Sequence, residues 1–361
     1  MSPDDGRDGD LLYLFSSNQN PLFEEDAINA VCLPAKFIMH FRYRPENLDD
    51  ALKNLVSAGQ RNTLIGKKVL VIFVNVIGRE RLDVLWDPEF YPLRSGRVIE
   101  IKLEGDRIHF FFELEDEFID YEKYDKAQLD SAIRKLKYKP EKGDKPGYYI
   151  PGKFAVLQAS VVAGMSVNGQ SGRIKIIERL LEVYPRRLFY SFEVRLRGRE
   201  AHELVSPNKL QHENLPLAGY ELSQGKRYSI LLKYYFNPGK AFQFPSVTLS
   251  LNDASGTITT SRGSITLGNR SDVREILITP HGVSTSTKEA TFEIAATDST
   301  GSQMGRFEIP MQVNRSYAFL LWLIVIAAGL IIGSIFPNVY AHIGGSLLTT
   351  FGVFFLARSY K

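Results

Sequence analysis

The last fifty residues restrict the fold more than any other part of the chain. "YAFLLWLIVIAAGLIIGSIF" (317–336) runs for about 20 residues without a charge, and "VYAHIGGSLLTTFGVFFLA" (339–357) follows after Pro337 and Asn338. At 1.5 Å rise per residue each run makes a helix of roughly 30 Å, the thickness of a bilayer's hydrocarbon core. Joined as one helix they would be about twice too long. Proline ends a helix and asparagine suits a turn. The expectation is a two-helix transmembrane hairpin over 315–361, with spans 317–336 and 339–357.

The flanks set its orientation. Arg306 and Arg315 precede the first run, Arg358 and Lys361 follow the second, and the turn carries no basic residue. Under the positive-inside rule both termini belong on the cytoplasmic side of an inner or plasma membrane. Tyr317, Tyr340 and Tyr360 fall where interfacial aromatics are expected. The acidic start "MSPDDGRDGD" lacks the pattern of a secretory signal, and the one cysteine, Cys32, makes no internal disulfide. Both fit a cytoplasmic soluble part.

Small residues recur inside the spans. Gly329 and Gly333 form a GxxxG pair, and Ala341, Gly345 and Thr349 repeat every four positions, so helix backbones can approach closely within one hairpin or between protomers. His342 is the one ionisable residue within the spans, a candidate for an interfacial or pore position.

The rest of the 361 residues read as mainly β. Residues 1–10 are expected to be a disordered tail. Residues 11–152 read as a β-rich α+β domain: "KVLVIFVNV" is a buried strand, and alternation on both sides of Gly105-Asp106 gives a hairpin. Helices are expected around Leu48, Leu52 and Leu55, and around Leu129, Ile133 and Leu136. "KPEKGDKPGYYIPGK" (139–153) supplies a soft boundary. Residues 153–218 read as a connecting β/α segment, with 173–183 open between helix and strand and a strand at 188–196. Residues 219–314 carry seven short strands in about a hundred residues, the count of an immunoglobulin-like β-sandwich.

Chemistry-bearing motifs are sparse. "GYELSQGKR" has the wrong glycine spacing for a phosphate loop and Arg where Ser or Thr would bind magnesium. His202-Glu203 and His212-Glu213 miss the i, i+4 spacing of a zinc helix, and His40, His109 and His281 are scattered. No catalytic, cofactor or metal site is legible. Lys and Arg (44) nearly balance Asp and Glu (41), so there is no specific nucleic-acid signal. Arg187, Arg195 and Arg197 cluster around one strand, with Arg186 and Arg199 beside them, and Arg42, Arg44, Arg94 and Arg97 flank aromatic strands. Such guanidinium groups suit an acidic protein partner, a small anionic ligand or lipid headgroups.

The functional expectation is a non-enzymatic, membrane-anchored cytoplasmic sensor or effector. It would oligomerise through its soluble region and hairpin and perturb the membrane, as in microbial anti-phage defence. Two rivals are a passive membrane-anchored scaffold or adaptor, and a membrane-bound enzyme with an unrecognised site.

Overall fold

The computed structural model describes residues 11–17, 21–75, 89–120, 127, 154–158, 166–185, 187–198, 202–210, 216–235, 247–253, 255–267, 272–281, 287–314, 317–335 and 339–359. The expected tail, the helix around Leu129 to Leu136, the 139–153 boundary, Arg186, Arg199, and Pro337-Asn338 lie outside these residues. The fold is mainly β, built as three sheets.

The first sheet uses β1 (Leu11–Ser17), β2 (Ile38–Tyr43), β3 (Lys68–Asn75), β4 (Glu89–Glu104), β5 (Arg107–Ile119), β6 (Phe154–Gln158) and β7 (Ser166–Asn168). Their order is β2-β5-β4-β3-β1-β6, with β7 added to β5. β1 and β3 are parallel, with Leu12 opposite Val69. β1 is buried along its whole length and β3 over Val69 to Val74. Such unbroken apolar runs are what a central strand covered on both faces requires.

Helix α1 (Pro21–Cys32) and helix α2 (Asp50–Ser57) lie within the β1 to β3 crossover. The expected helix around Leu48 begins two residues later, because the Asp49 carboxylate caps it by accepting from the Leu52 amide at 2.9 Å. Leu48 instead forms a parallel bridge to Ala155. The stretch left open at 173–183 is helical, α3 (Gln170–Val183), and buries Ile176, Ile177 and Leu180 on one face.

The remaining strands make two facing sheets. β8 (Phe189–Arg197), β9 (His202–Val205), β12 (Tyr228–Tyr235), β14 (Ile258–Thr260) and β16 (Asp272–Pro280) form one, in the order β14-β16-β12-β8-β9. β10 (Asn208–Leu210), β11 (Leu217–Ser223), β13 (Val247–Asp253), β15 (Ser264–Leu267), β17 (Lys288–Asp298) and β18 (Gln303–Asn314) form the other, in the order β10-β11-β18-β17-β13-β15. β8, expected within a connecting segment, is thus paired into these sheets together with β9 and β10, and β6 and β7 into the first. The seven strands read in 219–314 are all present as β12 to β18.

Aromatic side chains join the facing sheets. The ring of Phe307 on β18 stacks on Tyr190 and Phe192 of β8, with centroids 3.7 and 5.7 Å apart. Phe37, between α1 and β2, reaches the same cluster and touches Phe192 and Tyr220, each at 5.9 Å. Tyr190 completes the junction: its amide donates to Cys32 Sγ at 3.3 Å and its hydroxyl to Asn29 Oδ1 at 3.0 Å. Burial pushes the Cys32 thiol up to about 12, so it packs as an inert apolar group.

The chain ends in α4 (Tyr317–Ile335) and α5 (Val339–Ser359), of 19 and 21 residues. Among the described residues no helix is long and apolar enough to cross a membrane. The expected transmembrane hairpin over 315–361 is therefore not supported by the described helices.

Candidate functional site

Two places concentrate features that a plain β fold does not need: the contact between α4 and α5, and a pair of buried arginines in the first sheet.

The helix pair meets at glycine. A Cβ placed on Gly329 would stand 2.8 Å from the Gly345 carbonyl oxygen and 2.6 Å from Thr349 Oγ1, so residue 329 has room for hydrogen alone. Three of the expected small residues are therefore brought together, and they meet within one chain. Gly333 and Ala341 lie on the same helices, and His342 is exposed. The hydroxyl groups on these helices are satisfied locally: Thr349 donates to the Gly345 carbonyl, Thr350 to Ser346 and Ser334 to Leu330, at 2.7 to 2.9 Å. Among the described residues Ile324, Leu330, Ile335, Leu347, Phe351 and Phe354 are all more than half exposed.

Arg187, Arg195 and Arg197, the arginines of the expected anion-binding cluster, lie just before and along β8. Arg195 is held by its neighbour Glu193, with Nη2 to Oε2 at 2.6 Å and Nε to Oε2 at 3.1 Å. Arg197 is exposed and Arg187 half-buried. Their i, i+2 spacing puts Arg195 and Arg197 on the solvated face of β8, where Glu193 supplies the compensating charge.

Arg94 is different. The register of β4 against β5 shifts between Arg94 and Gly96, and at this bulge Pro92 to Gly96 are all buried. Arg94 is completely buried. Its Nη1 donates to the Ala30 and Leu33 carbonyls at 3.2 and 2.6 Å, and its Nε to the Glu115 carbonyl at 2.5 Å. The first two acceptors belong to the end of α1, whose last-turn carbonyls have no helical partner, so the guanidinium caps that helix from within the sheet. Nη2 has no partner.

A second arginine lies near it. Arg173, in the first turn of α3, is 7% exposed, and its Nε likewise has no partner among the described residues. The guanidinium carbons of Arg94 and Arg173 lie 4.6 and 5.4 Å from the centre of the same ring, Phe118. Burial first, and then the neighbouring Arg173 charge, pull Arg94 down to about 9. Sequence reading placed Arg94 among exposed strand flanks and passed over Arg173. The register shift that buries Arg94 has no composition signature. A usable signal was an arginine at the start of an apolar-periodic helix, where the helix dipole disfavours a cation.

The scattered histidines also gain a relationship. The β2–β5 pairing brings His40 Nε2 within 2.8 Å of His109 Nδ1, and the two rings stack at 4.9 Å. Among the described residues no group of three or more His, Cys, Asp or Glu side chains is placed to hold a metal ion.

No protein-family model matches the chain, and no curated protein matches it. Among solved structures, the YadV chaperone aligns with 10% identity over 27% of this chain and 50% of its own, at a TM-score of 0.21. A chain of the CsuC–CsuE chaperone–tip adhesion subunit pre-assembly complex, from the archaic chaperone-usher Csu pili of Acinetobacter baumannii, aligns with 12% identity over 27% of this chain and 53% of its own, at 0.20. This chain thus spans about half the length of each, at scores below those of a shared fold.

Proposed function

We propose that the protein is a membrane-anchored sensor or effector, in which α4 and α5 form a two-span hairpin and the β-rich region faces the cytoplasm. The observation that carries this reading is the make-up of the helix pair. Its inner contact is closed by Gly329 against Gly345 and Thr349. Its hydroxyls are turned back onto their own helix, and its outer surface presents large apolar side chains, several more than half exposed. Lipid is the partner that such a surface fits, since a bilayer rewards apolar exposure and penalises any unsatisfied polar group. The charge-free stretch 317–336 and the basic residues at both outer flanks supply span length and orientation.

The soluble part is the sensing element. Its two facing sheets are arranged as an immunoglobulin-like sandwich, a scaffold suited to holding a binding surface rigidly above a membrane. Binding there drives homo-oligomerisation, and the hairpins of adjacent protomers then rearrange in the bilayer. The setting proposed is an effector acting on its own cell's membrane in microbial defence.

The test has two arms. The full chain should resist alkaline extraction from membranes, and Asn338→Cys should react with an impermeant thiol reagent from the outer side only. Release by alkali, or labelling from the cytoplasmic side alone, rejects the anchor. Depolarisation of cells expressing the chain, weakened by Gly333→Leu, separates an effector from a passive scaffold, whose hairpin an unrelated anchor can replace.

A further inference from the structure

We infer that Arg94 and Arg173, meeting at Phe118 beside the first turn of α3, bind the phosphate group of a small phosphomonoester. This deepens the sensing role proposed above by naming the ligand chemistry, and it rests on that role only for its consequence, not for the site.

The geometry is that of a site already built. Three carbonyl acceptors, two at the end of α1 and one on β5, fix the Arg94 guanidinium, and among the described residues Nη2 has no partner. Arg173 contributes an Nε that has no partner among the described residues, from a side chain more than nine-tenths buried. Sharing the Phe118 ring keeps the two cations within about 10 Å of each other. Among the described residues no carboxylate forms an ion pair with either. Burying two like charges with only a weak, unbonded counter-charge is costly, and a bound anion lessens both the repulsion and the unsatisfied N–H groups.

The first turn of α3 adds to this field. Gly169 provides no side-chain cap and the turn carries no acidic residue, so its free amides present partial positive charge. Gln170 and Ser171 are exposed, which gives the site a solvent side. The exposed Asp116 carboxylate, attracted to Arg94 without bonding to it, is the chain's own weak counter-charge there. Two guanidiniums match the double charge and multiple oxygens of a phosphate monoester better than a single carboxylate.

The test uses the full chain in detergent micelles, titrated with inorganic phosphate and followed by equilibrium dialysis and by thermal unfolding. Saturable binding with a raised unfolding midpoint is expected, at least tenfold weaker in Arg173→Gln and unchanged in Arg187→Gln. Ser171→Glu, at an exposed position, places a competing carboxylate at the mouth of the site and should weaken binding even if Arg173→Gln fails to fold. A parallel measurement in phosphatidylcholine nanodiscs with and without phosphatidic acid separates a lipid phosphate from a soluble one. No saturable binding of either form, or binding unaltered by Ser171→Glu, overturns the site. Binding that leaves the oligomeric state unchanged keeps the site and removes the sensor role.

Discussion

Gly329 and Thr349 touch across the C-terminal helix pair: a Cβ on residue 329 would lie 2.6 Å from the Thr349 hydroxyl oxygen and 2.8 Å from its amide nitrogen. Real Cβ contacts are not that short, so any larger residue must push α5 away from α4. Gly329→Leu is expected to weaken the pair by about 1–3 kcal/mol, the ordinary cost of overpacking a close contact. Gly344, on the same helix as Thr349, has nothing within 4 Å of its own Cβ position. Gly344→Ala should therefore change the unfolding midpoint in detergent little, while Gly329→Leu lowers it. Equal effects would show that bulk and helix propensity matter here, and contact does not.

A second close approach lies in the facing sheets. β11 runs parallel to β18, with Tyr220 opposite Met311, and a Cβ on Gly219 would overlap the Pro310 carbonyl oxygen and stand 2.8 Å from Leu210 Cδ1. Neither backbone can yield without moving a paired strand. Gly219→Ala should destabilise the fold by about 3 kcal/mol, measured as a lower midpoint in urea. A loss below about 0.5 kcal/mol, typical of an unconstrained surface site, would mean that β11 is not held in this register.

Local pattern explains what the sequence revealed. The strands β12 to β18 carry period-two alternation, and the β4–β5 hairpin is marked by Gly105-Asp106, so both were readable from neighbours in the chain. Helix α1 was not read, because Pro21–Cys32 mixes apolar residues with Glu24, Glu25 and Asp26 at its start and buries Ala30, Val31 and Cys32 at its end. The assignment of β8 to the facing sheets depended on pairings such as Phe192 with Leu232, forty residues apart, which no local pattern encodes. The arginine pair was hidden for the same reason. Arg94 and Arg173 meet only after β4, β5 and α3 have packed, and an arginine's burial is a property of that packing.

Asp49 supports a smaller but separable prediction. One carboxylate oxygen caps α2 through the Leu52 amide and the other accepts from the Leu157 amide on β6 at 3.2 Å, tying helix to sheet. Asp49→Ala removes both acceptors and should cost about 1–2 kcal/mol. Asp49→Asn keeps one carbonyl oxygen for Leu52 and should recover roughly half, read from urea denaturation of the three proteins side by side. Identical losses in the two variants would mean that the negative charge, and not the cap geometry, supplies the effect.

Glu117 on β5 gives a pH prediction whose sign is fixed. Lys68 Nζ lies 2.6 Å from its Oε2, and this hydrogen bond, more than any other influence, holds the carboxyl below its ordinary value of 4.5. A carboxyl whose folded value is lowered binds fewer protons in the native state than in the unfolded one. Its contribution to stability is therefore complete above 4.5 and is lost as pH falls through the lowered value. The pair is partly solvated, Lys68 being 45% exposed and Glu117 33%, so the contribution is expected to be under about 1 kcal/mol and to shrink with salt. Wild type and Glu117→Gln should differ in urea stability at pH 7 and converge as the pH is taken well below 4.5. A difference that persists in acid would assign the effect to packing around β5, since a protonated Glu117 and a glutamine present Lys68 with the same absence of charge.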